Sequence, residues 1–152
     1  MATLHEYPVG VSWSGGRDGH GSVLNDHSKT KIDLAVPVEF QGAGGASNPE
    51  ELLTSAIASC YTITFGIVAA NRKLPIQSVE VSATGVVEQN GAALVYRQIT
   101  IKPKITVTAE ATEDQVTSTK DMAHRADSYC IITNAVRGKV EVIVDPEILR
   151  AS

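Results

Sequence analysis

Apolar residues recur at every second position at Val9, Val11 and Trp13, and again at Ile32, Leu34, Val36 and Val38. A period of two is what a half-buried strand requires. The glycine-rich stretches SGGRDGHG and QGAGGASN lie between and after these runs, so the pattern predicts a small antiparallel meander. Farther on, Val79, Val81 and Ala83 alternate, as do Ile99, Ile101, Ile105 and Val107, with Asn90-Gly91 between the two sets. Asn-Gly favours the tight turns with positive φ that join antiparallel strands, which predicts a hairpin. Gln98, Thr100, Lys102, Lys104 and Thr106 fill the intervening positions and give that sheet one wet face. Pro103, with no N–H to donate, is expected at an edge or a bulge. KVEVIV, with Val140, Val142 and Val144 in phase, reads as a last strand.

The period lengthens in two places. Asn48 stands as an N-cap, Pro49 takes the first helical position, where its missing N–H costs nothing, and Glu51 completes a capping box. The helix they open runs to about Asn71-Arg72-Lys73. Leu53, Ala56, Ile57, Cys60, Ile63, Thr64 and Ile67 follow the i, i+3, i+4, i+7 rule, so the expected buried stripe includes Cys60. Thr112, followed by Glu113, Asp114 and Gln115, opens a second helix toward Tyr129-Cys130. With no internal repeat or low-complexity linker, residues 1–152 read as one α+β domain in which two helices cover curved antiparallel sheet.

Bulk properties narrow the function classes. A chain of 152 residues and 16.1 kDa can bury roughly 70% of the surface it exposes when unfolded, enough for one real core. Thirteen Lys+Arg against 17 Asp+Glu leave a net charge of −4 with no basic run, which argues against nucleic acid. MATLHEYPVG lacks a charged n-region followed by an apolar stretch, and no segment is read as a membrane span. A soluble, cytoplasmic protein is therefore expected. In that reducing compartment two cysteines are expected to be free, metal-bound or transiently redox-active. His5, His20, His27 and His124 are scattered, so neither a metal site nor a cofactor is expected.

Candidate chemistry rests on four residues, each with an ordinary explanation. A cysteine on an apolar helical stripe behaves as a small hydrophobe, and burial raises its thiol pKa, so Cys60 needs a neighbouring cation to become a nucleophile. Cys130, seventy positions on, falls near a helix end beside Asp127, Ser128 and Asn134. It could act as a resolving partner if its Cα came within about 4.4–6.8 Å of that of Cys60, which spacing alone leaves open. Arg17 sits in a glycine-rich turn that could fold it into a site or leave it solvated. Glu50 suits the first turn of a helix through the dipole alone.

Together these residues form a pattern. GGRDG at 15–19, NPEELLTSAIASC at 48–60 and CIITNAVRG at 130–138 resemble the signature blocks of the Ohr/OsmC family, the organic hydroperoxide reductases and osmotically induced peroxidases. The block order is the family's, over nearly the whole chain, and GGRDG with GAGGASNPEEL resembles the Ohr branch more closely. The resemblance implies an intertwined homodimer and thiol-dependent reduction of alkyl or lipid hydroperoxides. By motif, Cys60 is expected to be the peroxidatic thiolate and Cys130 the resolving thiol, with Arg17 stabilising the thiolate and Glu50 holding the guanidinium. It further implies a dithiol reductant, typically a dihydrolipoyl group on a carrier protein or a small dithiol. Asn134 and Arg137 also match, and read as a turn former and a surface cation. Ile131 follows Cys130 where the familiar pattern has proline.

Two expectations follow from geometry and surroundings. Glu50 and Cys60 are ten residues apart on one helix, about 15 Å along its axis and about 80° around it, so either the helix breaks or Glu50 acts across a subunit interface. Leu53, Ile57, Ile63 and Phe65 would give the thiolate an oily setting suited to substrates with a tail. The alternatives are a dimer that carries an apolar ligand with passive core cysteines, and a metal-dependent enzyme, for which ligands at usable spacing are lacking.

Overall fold

Alternating apolar residues make the first sheet, as expected, but leave it uncovered. In the computed structural model, which describes residues 1–152, the unit Met1–Leu52 holds Val9–Ser14 (β1), His20–Asn25 (β2) and Lys31–Ala35 (β3). They pair antiparallel in the order β1-β2-β3. The glycine-rich stretch SGGRDGHG runs into β2, where Gly21 is required: a Cβ there would run into the Trp13 ring and the Ser12 carbonyl on the paired strand. β3 stops at Ala35, short of the expected Val36 and Val38. Pro37, at φ −58° and ψ 150°, leads instead into a 3-10 turn over Val38–Phe40. Val9, Val11 and Trp13 are 58%, 64% and 45% exposed, so this face of the meander has no cover within its own unit.

The unit Leu53–Ser152 contains the main core. Helix α1 (Pro49–Asn71) enters it unbroken, with the Glu51 N–H bonded to Asn48 Oδ1 at 2.9 Å as the cap requires. Its end is a Schellman turn: Lys73 adopts φ 54°, Leu74 N–H reaches Ala69 O and Lys73 N–H reaches Ala70 O, both at 3.0 Å. The buried stripe, however, is Ile57, Tyr61, Phe65 and Ala69, which keeps Ile57 from the expected stripe but is rotated from the rest of it; Ile63 and Ile67 are 63% and 56% exposed. Apolar residues occur on every side of α1, so periodicity admits more than one phase. The aromatic side prevails because Tyr61 and Phe65 carry the larger apolar area, and Tyr61 also donates to Ala123 O at 2.6 Å.

A further correction concerns the bilayer. Residues 52–71 carry no charge, and α1, at 23 residues, is long and apolar enough to cross a membrane, contrary to expectation. Its buried face is committed to the protein core, while only 22% of the apolar stretch is buried within the chain.

Strands β4 (Ile76–Asn90) and β5 (Ala93–Val107) form the expected hairpin. Asn90 pairs with Ala93, so the turn residues are Gly91 and Ala92, one position later than expected, and Gly91 at φ 60° takes the first central place of a II′-type turn. Ile99, Ile101, Ile105 and Val107 are fully buried, with the polar residues between them facing outward. Pro103 is neither at an edge nor at a bulge. β5 is central, and Pro103 lies opposite the gap between β6 (Glu141–Val144), which pairs with residues 98–101, and β7 (Glu147–Arg150), which pairs with 104–107. Both short strands run parallel to β5, which makes this sheet mixed, and β7 has no counterpart in the sequence reading.

Helix α2 (Glu113–Arg125) begins with the expected capping box, Gln115 N–H to Thr112 Oγ1 at 3.2 Å and Thr112 N–H to Gln115 Oε1 at 2.9 Å. It does not run to Cys130. Polar side chains compete for the backbone at its end, Ser128 Oγ donating to Arg125 O at 2.6 Å, and the chain tightens into a 3-10 turn over Ala126–Tyr129. A short helix, α3 (Ile131–Val136), follows.

Candidate dithiol site

Cys60 occupies the middle of α1 on the side away from Tyr61 and Phe65, in line with Ile63 and Thr64, one turn farther along. It is partly exposed, and Thr64 Oγ1 lies 4.0 Å from its sulfur. Cys130 is fully buried at the N-cap of α3, where its sulfur accepts the Thr133 N–H at 3.3 Å. The break between α2 and α3 therefore gives Cys130 its place: in extended conformation at φ −81° and ψ 116°, it turns its thiol back over the start of α3.

Within this unit the two thiols are near enough to shift each other's proton affinity, and both are free. Burial opposes the Cys60 thiolate. The Cys130 thiol, the Ile132 N–H, the Thr64 hydroxyl and the Ile131 N–H outweigh it and hold the Cys60 pKa below the ordinary thiol value. At Cys130 burial and the adjacent Cys60 push the other way, against the Thr133 hydroxyl and N–H, and its pKa is raised. The pair is thus asymmetric, with Cys60 the more acidic thiol and Cys130 the less acidic one.

A polar clamp surrounds Cys130. Arg137 donates from Nε to Asn134 Oδ1 at 3.0 Å and from one terminal nitrogen to the backbone and carboxylate oxygens of Asp127, both at 3.3 Å. Asn134 Nδ2 donates to Ser128 O at 3.0 Å. These bonds tie the 3-10 turn before Cys130 to the helix after it. Asn134 and Arg137 do more than mark a turn and a surface charge. Their position in the same motif as Cys130 was the available signal.

Of the four candidate residues, Cys60 and Cys130 are brought together. Arg17 and Glu50 belong to the first unit, where the Arg17 guanidinium donates to Phe40 O at 2.6 Å and Glu50 lies half-buried in the first turn of α1. The expected oily lining needs correction. Ile57 and Phe65 are fully buried in the core, whereas Ile63 stays exposed beside Cys60, together with Ile131 and Ile132, whose N–H groups face its sulfur. Ile131 in place of proline is what makes the first of those N–H groups available.

A mixed α+β fold carrying a cysteine pair on these motifs defines a class. Residues 42–145 match the family described as OsmC-like protein, and the chain belongs to that family. It is 30% identical over 134 residues to an organic hydroperoxide resistance protein-like protein of Staphylococcus aureus strain USA300, covering 84% of this chain and 86% of that one. It is 26% identical over 144 residues to the uncharacterized protein YmaD of Bacillus subtilis, covering 95% of each. The fold matches the crystal structure of an organic hydroperoxide resistance protein OsmC from Legionella pneumophila with a TM-score of 0.74 at 24% identity, over 96% of this chain and 99% of that one.

Proposed function

We propose that the protein is a thiol-dependent peroxidase that reduces alkyl or lipid hydroperoxides. The observation that carries this reading is the Cys60–Cys130 pair, in which the partly exposed thiol is the more acidic and the buried one holds the proton. The Cys60 thiolate attacks the O–O bond, taking one oxygen as a sulfenic acid while the other leaves, protonated, as the alcohol. The Cys130 thiol then displaces the sulfenic hydroxyl as water and forms a disulfide. Two thiols and ROOH thus give a disulfide, ROH and water. An external dithiol, a dihydrolipoyl group in our reading, restores both thiols by exchange.

Apolar side chains beside Cys60, Ile63, Ile131 and Ile132 among them, support substrates with an oily tail, since buried apolar area is worth about 25 cal/mol per Å² and hydrogen peroxide has none. By resemblance, Arg17 stabilises the thiolate and the charge developing on the peroxide, and Glu50 orients the guanidinium. Since α1 is unbroken, ten residues separate Glu50 from Cys60, and we place this pairing across an intertwined homodimer. The open apolar faces at Val9, Val11 and Trp13 and at Ile63 and Ile67 support a second copy as their cover.

The test is turnover of cumene hydroperoxide to its alcohol with dihydrolipoamide, glutathione or a thioredoxin system as reductant. Dihydrolipoamide should support it best, and Cys60→Ser should abolish it. No turnover with any of them, alongside tight binding of fatty acid, would favour the apolar-ligand carrier instead.

A further inference from the structure

We propose that Thr133 is a catalytic residue of the resolving step, its hydroxyl and N–H together stabilising the Cys130 thiolate as that sulfur attacks the Cys60 sulfenic acid. The assignment rests on the peroxidase reading and adds a residue to it.

Thr133 is fully buried, and its N–H already donates to Cys130 Sγ at 3.3 Å. Its hydroxyl, also buried, bonds no oxygen or nitrogen and lies beside the Cys130 sulfur, whose anion it favours. Two other helical threonines differ. Thr62 donates to Ala58 O and Thr119 to Gln115 O, both at 2.8 Å, the usual outlet for a helical threonine. The Thr133 hydroxyl takes no such outlet and is left to the Cys130 sulfur.

The chemistry needs such a donor. In the resting pair Cys130 is a poor nucleophile, held protonated by burial and by its neighbour. After the peroxide step Cys60 no longer carries the thiolate, but the burial remains. During resolution the Cys130 proton passes to the sulfenic hydroxyl, the S–O bond breaks as the S–S bond forms, and water departs. The charge that develops on Cys130 Sγ meets two donors from one residue, and Thr133 keeps its own proton throughout.

Thr133→Val replaces the hydroxyl with a methyl of similar size, and Thr133→Ser keeps the hydroxyl. Reduced protein is mixed with one equivalent of cumene hydroperoxide, Cys60 sulfenic acid is trapped with dimedone, and the disulfide is counted by mass spectrometry. T133V should accumulate sulfenic acid and close the disulfide roughly tenfold or more slowly, the loss of one hydrogen bond to a charged group, with its resolving rate rising only at higher pH. T133S should close it at close to the wild-type rate. A T133V variant that closes the disulfide as fast as wild type, with the same pH profile, overturns the assignment; so does a T133S variant as slow as T133V. If T133V does not fold, Thr133→Ala takes its place. A separate readout is the thiolate absorbance of Cys130 in Cys60→Ser: adding T133V should raise its pKa, and an unmoved titration counts against the role. Wild-type protein that loses no thiol to the hydroperoxide overturns the peroxidase reading and this assignment together, a result distinct from equal rates in two active proteins.

Discussion

Cys60 and Cys130 are chemically the same residue, and their surroundings divide the work between them. The depressed pKa of Cys60 means that its reactivity, which follows the thiolate fraction, should rise with pH and level off below the ordinary thiol range. Cys130→Ala removes the largest favourable contribution and leaves burial less opposed, so the plateau should move to higher pH. Alkylation of Cys60 with iodoacetamide as a function of pH reads this directly, and an unmoved curve would refute the pairing. Ile131→Pro should act in the same direction. Proline is well tolerated at the first helical position but takes away one N–H that faces Cys60, so the pKa should rise with little change in melting temperature. Arg17→Ala should slow oxidation of Cys60 without unfolding the protein, since the residue lies in a turn. Cys60 and Cys130 were legible as a candidate pair through their motifs. The acidity of Cys60 was not, because its donors belong to a backbone break seventy residues away.

Among the elements, α1 shows where pattern reading succeeds and where it stops. Its caps were legible because capping depends on a few local residues: Asn48, Pro49 and the turn at Lys73 fix both ends. Its phase was not fully so, because a helix with apolar residues on every side offers periodicity little contrast, and the choice fell to aromatic size and the Tyr61 hydroxyl bond to Ala123. Phe65→Ala should therefore cost about 3–5 kcal/mol, measured by urea denaturation, whereas Ile67→Ala, on the exposed side, should cost the isolated chain much less. Equal losses would contradict the phase. The α2–α3 break escaped the sequence for a related reason. The Asp127-Ser128 pair bends the chain through side-chain bonds that compete with a helix otherwise free to continue. β7 was hidden because it pairs with β5 only after the chain has crossed from β6, a long-range choice that no local signal records.

For the whole molecule, uncovered apolar surface is the main fact left by the single chain. The open face of β1 and the exposed side of α1 are expected to be covered by a second copy, so sedimentation should give twice the 16.1 kDa chain mass. Ile67→Asp should shift the protein toward monomer and reduce its activity. A monomer active at the wild-type rate would contradict the shared site. The family and its mixed α+β architecture follow from motifs and pairing that the sequence already displays, while the parallel strands and the dithiol geometry required the folded chain. The central claim is that Cys60 and Cys130 form one reactive unit. Counting free thiols before and after one equivalent of cumene hydroperoxide tests it most directly. The account predicts rapid loss of both thiols in the wild type, with Cys130 remaining free in Cys60→Ser; two thiols still free in the wild type would contradict it.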